Sequence, residues 1–466
     1  MIVGPQGGGT ITPNRPQSGP PRRAVLGAAT ATALGTLLAG TAPAAASPSS
    51  GPLPAARRAP ADPLPALRAA ARPLTDLGPL ERMTGRASIV GIGEATHNSS
   101  EFFRTKNRIF QRLVERRGFT AFALEAPWST GLRLDSWVLR GEGDIERIMR
   151  EELQSTYFLW RTREFLDLFR WMREHNIRHP DRPVRFLGND CAYAGPELFD
   201  RVMEWVAVRH PALSPRIRAL YAASRPAGSV AETIDGYLVR PIEERRALAK
   251  DVRRALELLR AAPAGPRESA GERAWMLQHA HAIAQVGRMH SYDYFNAAQS
   301  REMMRYRDRI MARNTVWWHR TTGHKVLLSA HNEHVGYEPL RPDLYPRVQG
   351  GFIRDMVGDG YVSAGFTFGR GSFNALDLTT PGEPVRRFSV GPPGPGSHEE
   401  VLERVSETDY YLDMRTAAPA ARDRLDLACP VRSIGNSWPE SPVTAQLLPT
   451  YDVLIHLPRI TAADRI

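Results

Sequence analysis

The chain has 466 residues, 42 % apolar and 24 % charged, with a formal net charge of +11. That balance excludes disorder throughout and allows one large domain or two ordinary ones. Two cysteines, Cys191 and Cys429, exclude a disulfide scaffold and a cysteine-built zinc cluster. No stretch approaches the roughly 20 consecutive apolar residues of a membrane span, so no stable membrane insertion is expected. Of the 61 basic residues, only Lys106, Lys250 and Lys325 are lysine. The arginines lie along helical stretches beside acids, as in PIEERRALAKDVRRALELLR, and form no basic block interleaved with aromatics. They read as solvated helix faces and predict no nucleic-acid partner.

Residues 1–46 read as a targeting segment. Arg22 and Arg23 precede a mildly apolar stretch, and Ala44-Ala45-Ala46 fits a cleavage site before Ser47. Twin arginines in that position resemble a Tat signal, so an exported protein is expected. Residues 47–75 are Pro- and Ala-rich and read as a linker running into a first helix. Residues 76–466 read as the functional domain.

Within that domain strands and helices alternate. ASIVGIG is a strand, Ser100 to Arg117 a helix, FTAFALEAP a strand, and a helix follows near Ser129. TREFLDLFRWMREHNI is helical and VRFLGND is a strand. Residues 196–323 have helical periodicity almost throughout, with breaks near Pro226, Pro263 and Phe295. HKVLLSAHNEH opens as a strand, and YVSAGFTFGRGSF and YDVLIHLP are late strands. The Pro- and Gly-rich stretch 380–410 can be a lid or a surface loop. The pattern predicts an α/β fold: a central, mostly parallel sheet flanked by helices, with a helical insertion or cap at about 196–323.

In open α/β sheets ligands bind beyond the carboxyl ends of the strands. Four strands finish there in acids, amides or histidines: Glu94 and His97, Glu125, Asn189 and Asp190, and His331, Asn332 and His334. Parallel strands would gather these groups on one rim. Two cations sit on apolar helix stripes, Lys106 with Phe102 and Phe110, and Arg307 with Met303 and Ile310. A buried cation needs a carboxylate, so both are expected to point into the acid-lined pocket. There is no G-x-S-x-G elbow, no H-E-x-x-H motif and no Walker sequence. Hydrolysis by water that a histidine activates, with a Glu fixing its tautomer, needs no protein nucleophile, and its parts are present. A metal-dependent hydrolase using Glu94, His97, His331 and His334 remains an alternative, as does a non-catalytic exported small-molecule binding protein.

GIGEATHNSSEFFRTKNRIFQRLVERRGFTAFALEA resembles the opening block of the erythromycin esterase family, and YRDRIMARNTVWWHRTTGHKVLLSAHNEHVG resembles its second block. The resemblance implies a carboxylic ester hydrolase that opens a macrolide lactone, and so antibiotic resistance; from the residues themselves no metal and no cofactor are expected. It implies a helical part over a deep cleft and a small-molecule ester or lactone as partner. It places the general base on His97 and the acids on Glu94 and Glu125. The later histidine pair falls on His331 and His334, and the Arg before Asp on Arg307. Lys106, Asn189, Asp190 and Asn332 complete the expected substrate-binding set. Asn98 stands where the family often has Gly, and Glu333 replaces the usual Gly between the later histidines.

Overall fold

In a computed structural model, residues 62–440 and 442–466 are described. Residues 1–46, which the sequence suggests as a targeting segment, and most of the stretch 47–75, expected as a linker, lie outside the described residues. Seven strands form the body of the sheet: β1 Ile89–Ile92, β2 Phe119–Pro127, β3 Arg185–Asp190, β4 Lys325–Ser329, β5 Tyr361–Asp377, β6 Tyr410–Asp413 and β7 Val453–Ile460. Their spatial order is β6-β7-β5-β1-β4-β2-β3. All neighbours are parallel except β6, which pairs antiparallel with β7. The short strands Arg72–Pro73, Val385–Val390 and Ser437–Trp438 extend this sheet.

Alternating side chains explain why the sheet is covered on both faces. From β2 and β3, Phe122, Leu124 and Phe186 point to one core, with Phe102 and Phe110 of the helix Ser100–Arg117 and Phe165 and Phe169 of the helix Arg163–Arg178. Ala121, Ala123, Val326 and Leu328 point to the other. There the helices Pro196–Arg209, Ala270–His290 and Ala297–Thr322 pack closely because the sheet offers mostly small or branched residues. Between β3 and β4 the chain is helical apart from short breaks, as the periodicity indicated.

The order of strands creates a crevice. From β1 the chain leaves over the Phe-rich face and moves toward β2. From β4, its neighbour, the chain runs through the helix Gln349–Val357 on the opposite face and moves toward β5. The two connections leave on opposite faces of the sheet at the β1/β4 boundary, which is the switch point where α/β sheets bind ligands. Two glycines permit the close packing there. A Cβ on Gly91 would lie 2.2 Å from the Tyr361 hydroxyl, and one on Gly93 would lie 2.1 Å from Asn332 Oδ1.

Two elements depart from the sequence reading. The stretch 380–410 contains the strand Val385–Val390, paired antiparallel with the far end of β5, and the helix His398–Glu403. The antiparallel β6 was not anticipated either, since YYLD is too short to show a period.

Candidate active site

The end of β1 carries the first group. The Asn332 N–H donates to the Glu94 carbonyl at 2.9 Å, stitching the tips of β1 and β4 together. Glu94 is fully buried. One carboxylate oxygen takes the Lys106 ammonium and the other faces His97 Nδ1 at 2.9 Å. Lys106, from the next helix, is 1 % exposed and also donates to Ser329 Oγ at 3.0 Å and the Ala330 carbonyl at 3.3 Å. Burial pulls its pKa down, and Glu94 opposes that. With the carboxylate accepting, His97 Nδ1 carries the proton and Nε2 is left with a lone pair. Nε2 makes no hydrogen bond among the described residues, and the imidazole is the partly open member of the trio.

The rings of His97 and His331 lie 4.7 Å apart, and Trp160 meets His97 edge-on at 6.1 Å. His331 is buried, and burial drives its pKa well down, so it is neutral. Its Nδ1 receives the Glu333 N–H at 3.3 Å and its Nε2 faces the Ile434 carbonyl at 3.2 Å. That fixes the Nε2–H tautomer and leaves neither nitrogen free.

A second cluster lies across the cleft on β2, β3 and the helix Ala297–Thr322. Arg307 donates Nε and Nη2 to Asp190 at 2.7–3.1 Å, and Nη2 also to Glu125 Oε1 at 2.6 Å. Nη1 has no hydrogen bond among the described residues and is not among the fully buried unpaired atoms. Tyr157 donates its hydroxyl to Asp190 at 2.9 Å. His334 is clamped by Asp308 at 2.7 Å through Nδ1 and lies 3.4 Å from Glu125 through Nε2. Burial opposes its charge, but Asp308 and Glu125 outweigh burial and lift its pKa to about 9. Burial would raise the Glu125 pKa, yet His334 and Arg307 together hold it down to about 2. The cleft therefore contains two fixed cations, Arg307 and His334, around a fixed anion, Glu125, opposite a histidine with a free lone pair.

His97, Glu125, Asp190, Arg307, His331 and His334 line one cleft, with Tyr157, Trp160, Arg341 and Tyr345. Glu94 and Lys106 sit behind His97. Asn189 and Asn332, expected to touch substrate, do not reach the cleft. Asn332 exchanges a pair of hydrogen bonds with the Phe366 backbone, at 2.7 and 2.9 Å. Asn189 turns to Thr315 at 3.0 Å. Lys106 likewise serves Glu94 rather than the cleft. Glu333 is buried and accepts from the Leu340 N–H at 2.8 Å, so the extra acid braces a loop. Tyr157 and Trp160 carry no signal in the sequence, because they come from the short 3-10 segment Ser155–Trp160 that has no periodicity to read. Arg341, which pairs tightly with Glu440 at the cleft, is likewise unannounced by any motif. Among the described residues no three His, Cys, Asp or Glu groups gather as metal ligands.

Fold and site together define a doubly wound α/β protein with a histidine–carboxylate pair at its switch point. The sequence profile described as Erythromycin esterase matches residues 114–460, and the chain belongs to that family. Erythromycin esterase type II of Escherichia coli is 25 % identical over 365 residues, covering 73 % of this chain and 84 % of the relative. A Bacillus cereus protein of known structure is 25 % identical with a TM-score of 0.76, covering 87 % of this chain and 98 % of that one. A variant of the erythromycin esterase EreC, solved in its open conformation, is 17 % identical with a TM-score of 0.63, covering 83 % of this chain and 95 % of that one.

Proposed function

We propose that the protein is a carboxylic ester hydrolase in which His97 activates water. The supporting observation is the Lys106–Glu94–His97 line, which holds the Nδ1–H tautomer and leaves Nε2 unbonded. Nε2 takes a proton as the water oxygen bonds to the ester carbonyl carbon. The carbonyl electron pair moves onto oxygen, and Arg307 Nη1 and the His334 cation supply positive charge for that oxyanion. Collapse of the tetrahedral centre breaks the carbon–alkoxide bond, and the proton on His97 goes to the leaving alkoxide. Water is consumed, and an acid and an alcohol form.

Glu125 and Asp190 do not receive the proton. Asp190 holds Arg307 through both Nε and Nη2, and Glu125 accepts a further bond from Nη2, so the guanidinium is oriented before substrate arrives. His331 packs beside His97 and, with both nitrogens held by backbone, contributes shape rather than a donor. Family membership makes a macrolide lactone the first substrate to try. A macrolide would lie against the aromatic wall of Tyr157, Trp160 and Tyr345. Export through a Tat-type signal belongs to the same proposal and rests on Arg22, Arg23 and Ala44–Ala46 alone.

The test is incubation with a panel of macrolides and simple esters, scored by mass spectrometry. Gain of one water by a lactone, unchanged by exhaustive treatment with chelator, supports the reading. Absence of hydrolysis across the panel, or activity abolished by chelator and restored by a divalent cation, refutes it.

A further inference from the structure

A second cleft, with no lining residue in common with the site just described, lies among three helices. They are Ile242–Ala261, Ala270–His290 and Ala297–Thr322. It has a volume of about 750 Å³, within the range of small-molecule sites, roughly 300–1,000 Å³. Its residues recur at helical spacing, 246, 249, 250 and 253 on the first helix and 281, 284, 285 and 288 on the second, so each helix gives one continuous face.

Floor and rim differ in chemistry. Leu256, Ala284, Tyr292 and Tyr306 are buried and make an apolar, aromatic floor. The rim carries Arg246, Lys250, Arg253 and Arg288, all exposed, against one acid, Glu302. Three of these charges are already answered. Arg246 pairs with Glu243 at 3.3 Å, Arg253 with Glu257 at 3.6 Å, and Glu302 with Arg305 at 3.4 Å. Lys250 and Arg288 have no ion pair among the described residues. Arg288 is instead held in place by neutral groups. It donates to Tyr292 Oη at 3.1 Å and Ser291 Oγ at 3.3 Å, and its guanidinium lies 4.4 Å from the Tyr292 ring centroid. His281 adds no charge near neutral pH, since burial, with Arg260 and Arg313, lowers its pKa to about 4.

We propose that this cleft binds an organic anion with an aromatic or apolar body, the body on the tyrosine floor and the carboxylate or phosphate between Lys250 and Arg288. An oriented guanidinium without a carboxylate of its own is suited to an incoming oxyanion, because its donors lose little freedom on binding. The arrangement is separate from the hydrolytic chemistry, whose Arg307 lies on the same helix but donates toward β2 and β3.

The experiment is fluorescence titration of the full chain with 1-naphthyl phosphate, beside 1-naphthol and inorganic phosphate. Vesicles of phosphatidylglycerol and of phosphatidylcholine form separate arms, which distinguish a free anion from a lipid headgroup. Saturable binding of 1-naphthyl phosphate, at least tenfold tighter than either fragment, is expected. The double variant Lys250→Gln, Arg288→Gln should weaken it at least tenfold, and Ala284→Leu, which fills the floor, should weaken it without touching a charge. Ester hydrolysis should be unchanged in the double variant. Equal affinity for 1-naphthol, unchanged binding in the double variant, or displacement of the probe by an ester substrate overturns the proposal. Binding to phosphatidylglycerol vesicles alone also overturns it for a free anion.

Discussion

His334 offers a measurement that isolates one buried charge. Its imidazolium is 3 % exposed, and Asp308 at 2.7 Å and Glu125 at 3.4 Å keep it protonated. The ordinary value of 6.5 is lifted to about 9 in the folded protein. A folded-state pKa above the unfolded one stabilises fully below the unfolded value and is lost as pH rises through the folded value. The interval corresponds to about 3 kcal/mol. Stability of the wild type should therefore fall relative to His334→Gln as pH rises from 6.5 to 9, and the difference should level off above that. The assay is urea unfolding of both proteins at fixed pH between 6 and 10, followed by near-ultraviolet circular dichroism. Titrating groups that do not touch His334 are common to both proteins and cancel in the difference. A gap between them that stays constant over this range would refute the claim that His334 is held as a cation.

Three further outcomes follow from the same geometry. Lys106→Met keeps the stem volume but leaves Glu94 without its cation, so unfolding free energy should drop by about 3–5 kcal/mol and turnover should fall with it. Unaltered denaturation would show that the pair is not buried as described. Asn332→Ala strands the Phe366 N–H and carbonyl, costing about 1–3 kcal/mol for each unsatisfied group. Turnover per folded molecule should stay within a few-fold of wild type, whereas a large rise in KM alone would restore Asn332 to the substrate-binding set. Gly93→Ala drives a methyl into Asn332 Oδ1 at 2.1 Å, so expression of soluble protein should collapse; a stable, active variant would contradict the packing at the β1/β4 tips.

Periodicity made the fold readable where elements were long. The helix Ser100–Arg117 ends at Gly118, whose φ of 70° suits glycine, and both helix and following strand lie where the pattern put them. Short elements such as β6 carry too few residues for a period, and their place depends on pairing with distant β7. The site divides in the same way. Strand ends told which acids and histidines would gather, because parallel strands share a rim. They did not tell which way a polar side chain turns. Asn332 and Asn189 spend themselves on backbone and a threonine, and Lys106 finds Glu94 rather than substrate. Tyr157 and Trp160 depend on a 3-10 turn packing over His97, a contact that no local pattern announces.

The proposed hydrolysis depends on His97 Nε2 as the proton acceptor. Its most direct test is the turnover of His97→Asn on whichever ester the wild type hydrolyses, with folding checked by circular dichroism. Loss of a general base should lower kcat by about 10²–10⁴-fold with the protein still folded. A folded His97→Asn protein that turns over within tenfold of wild type would contradict the mechanism.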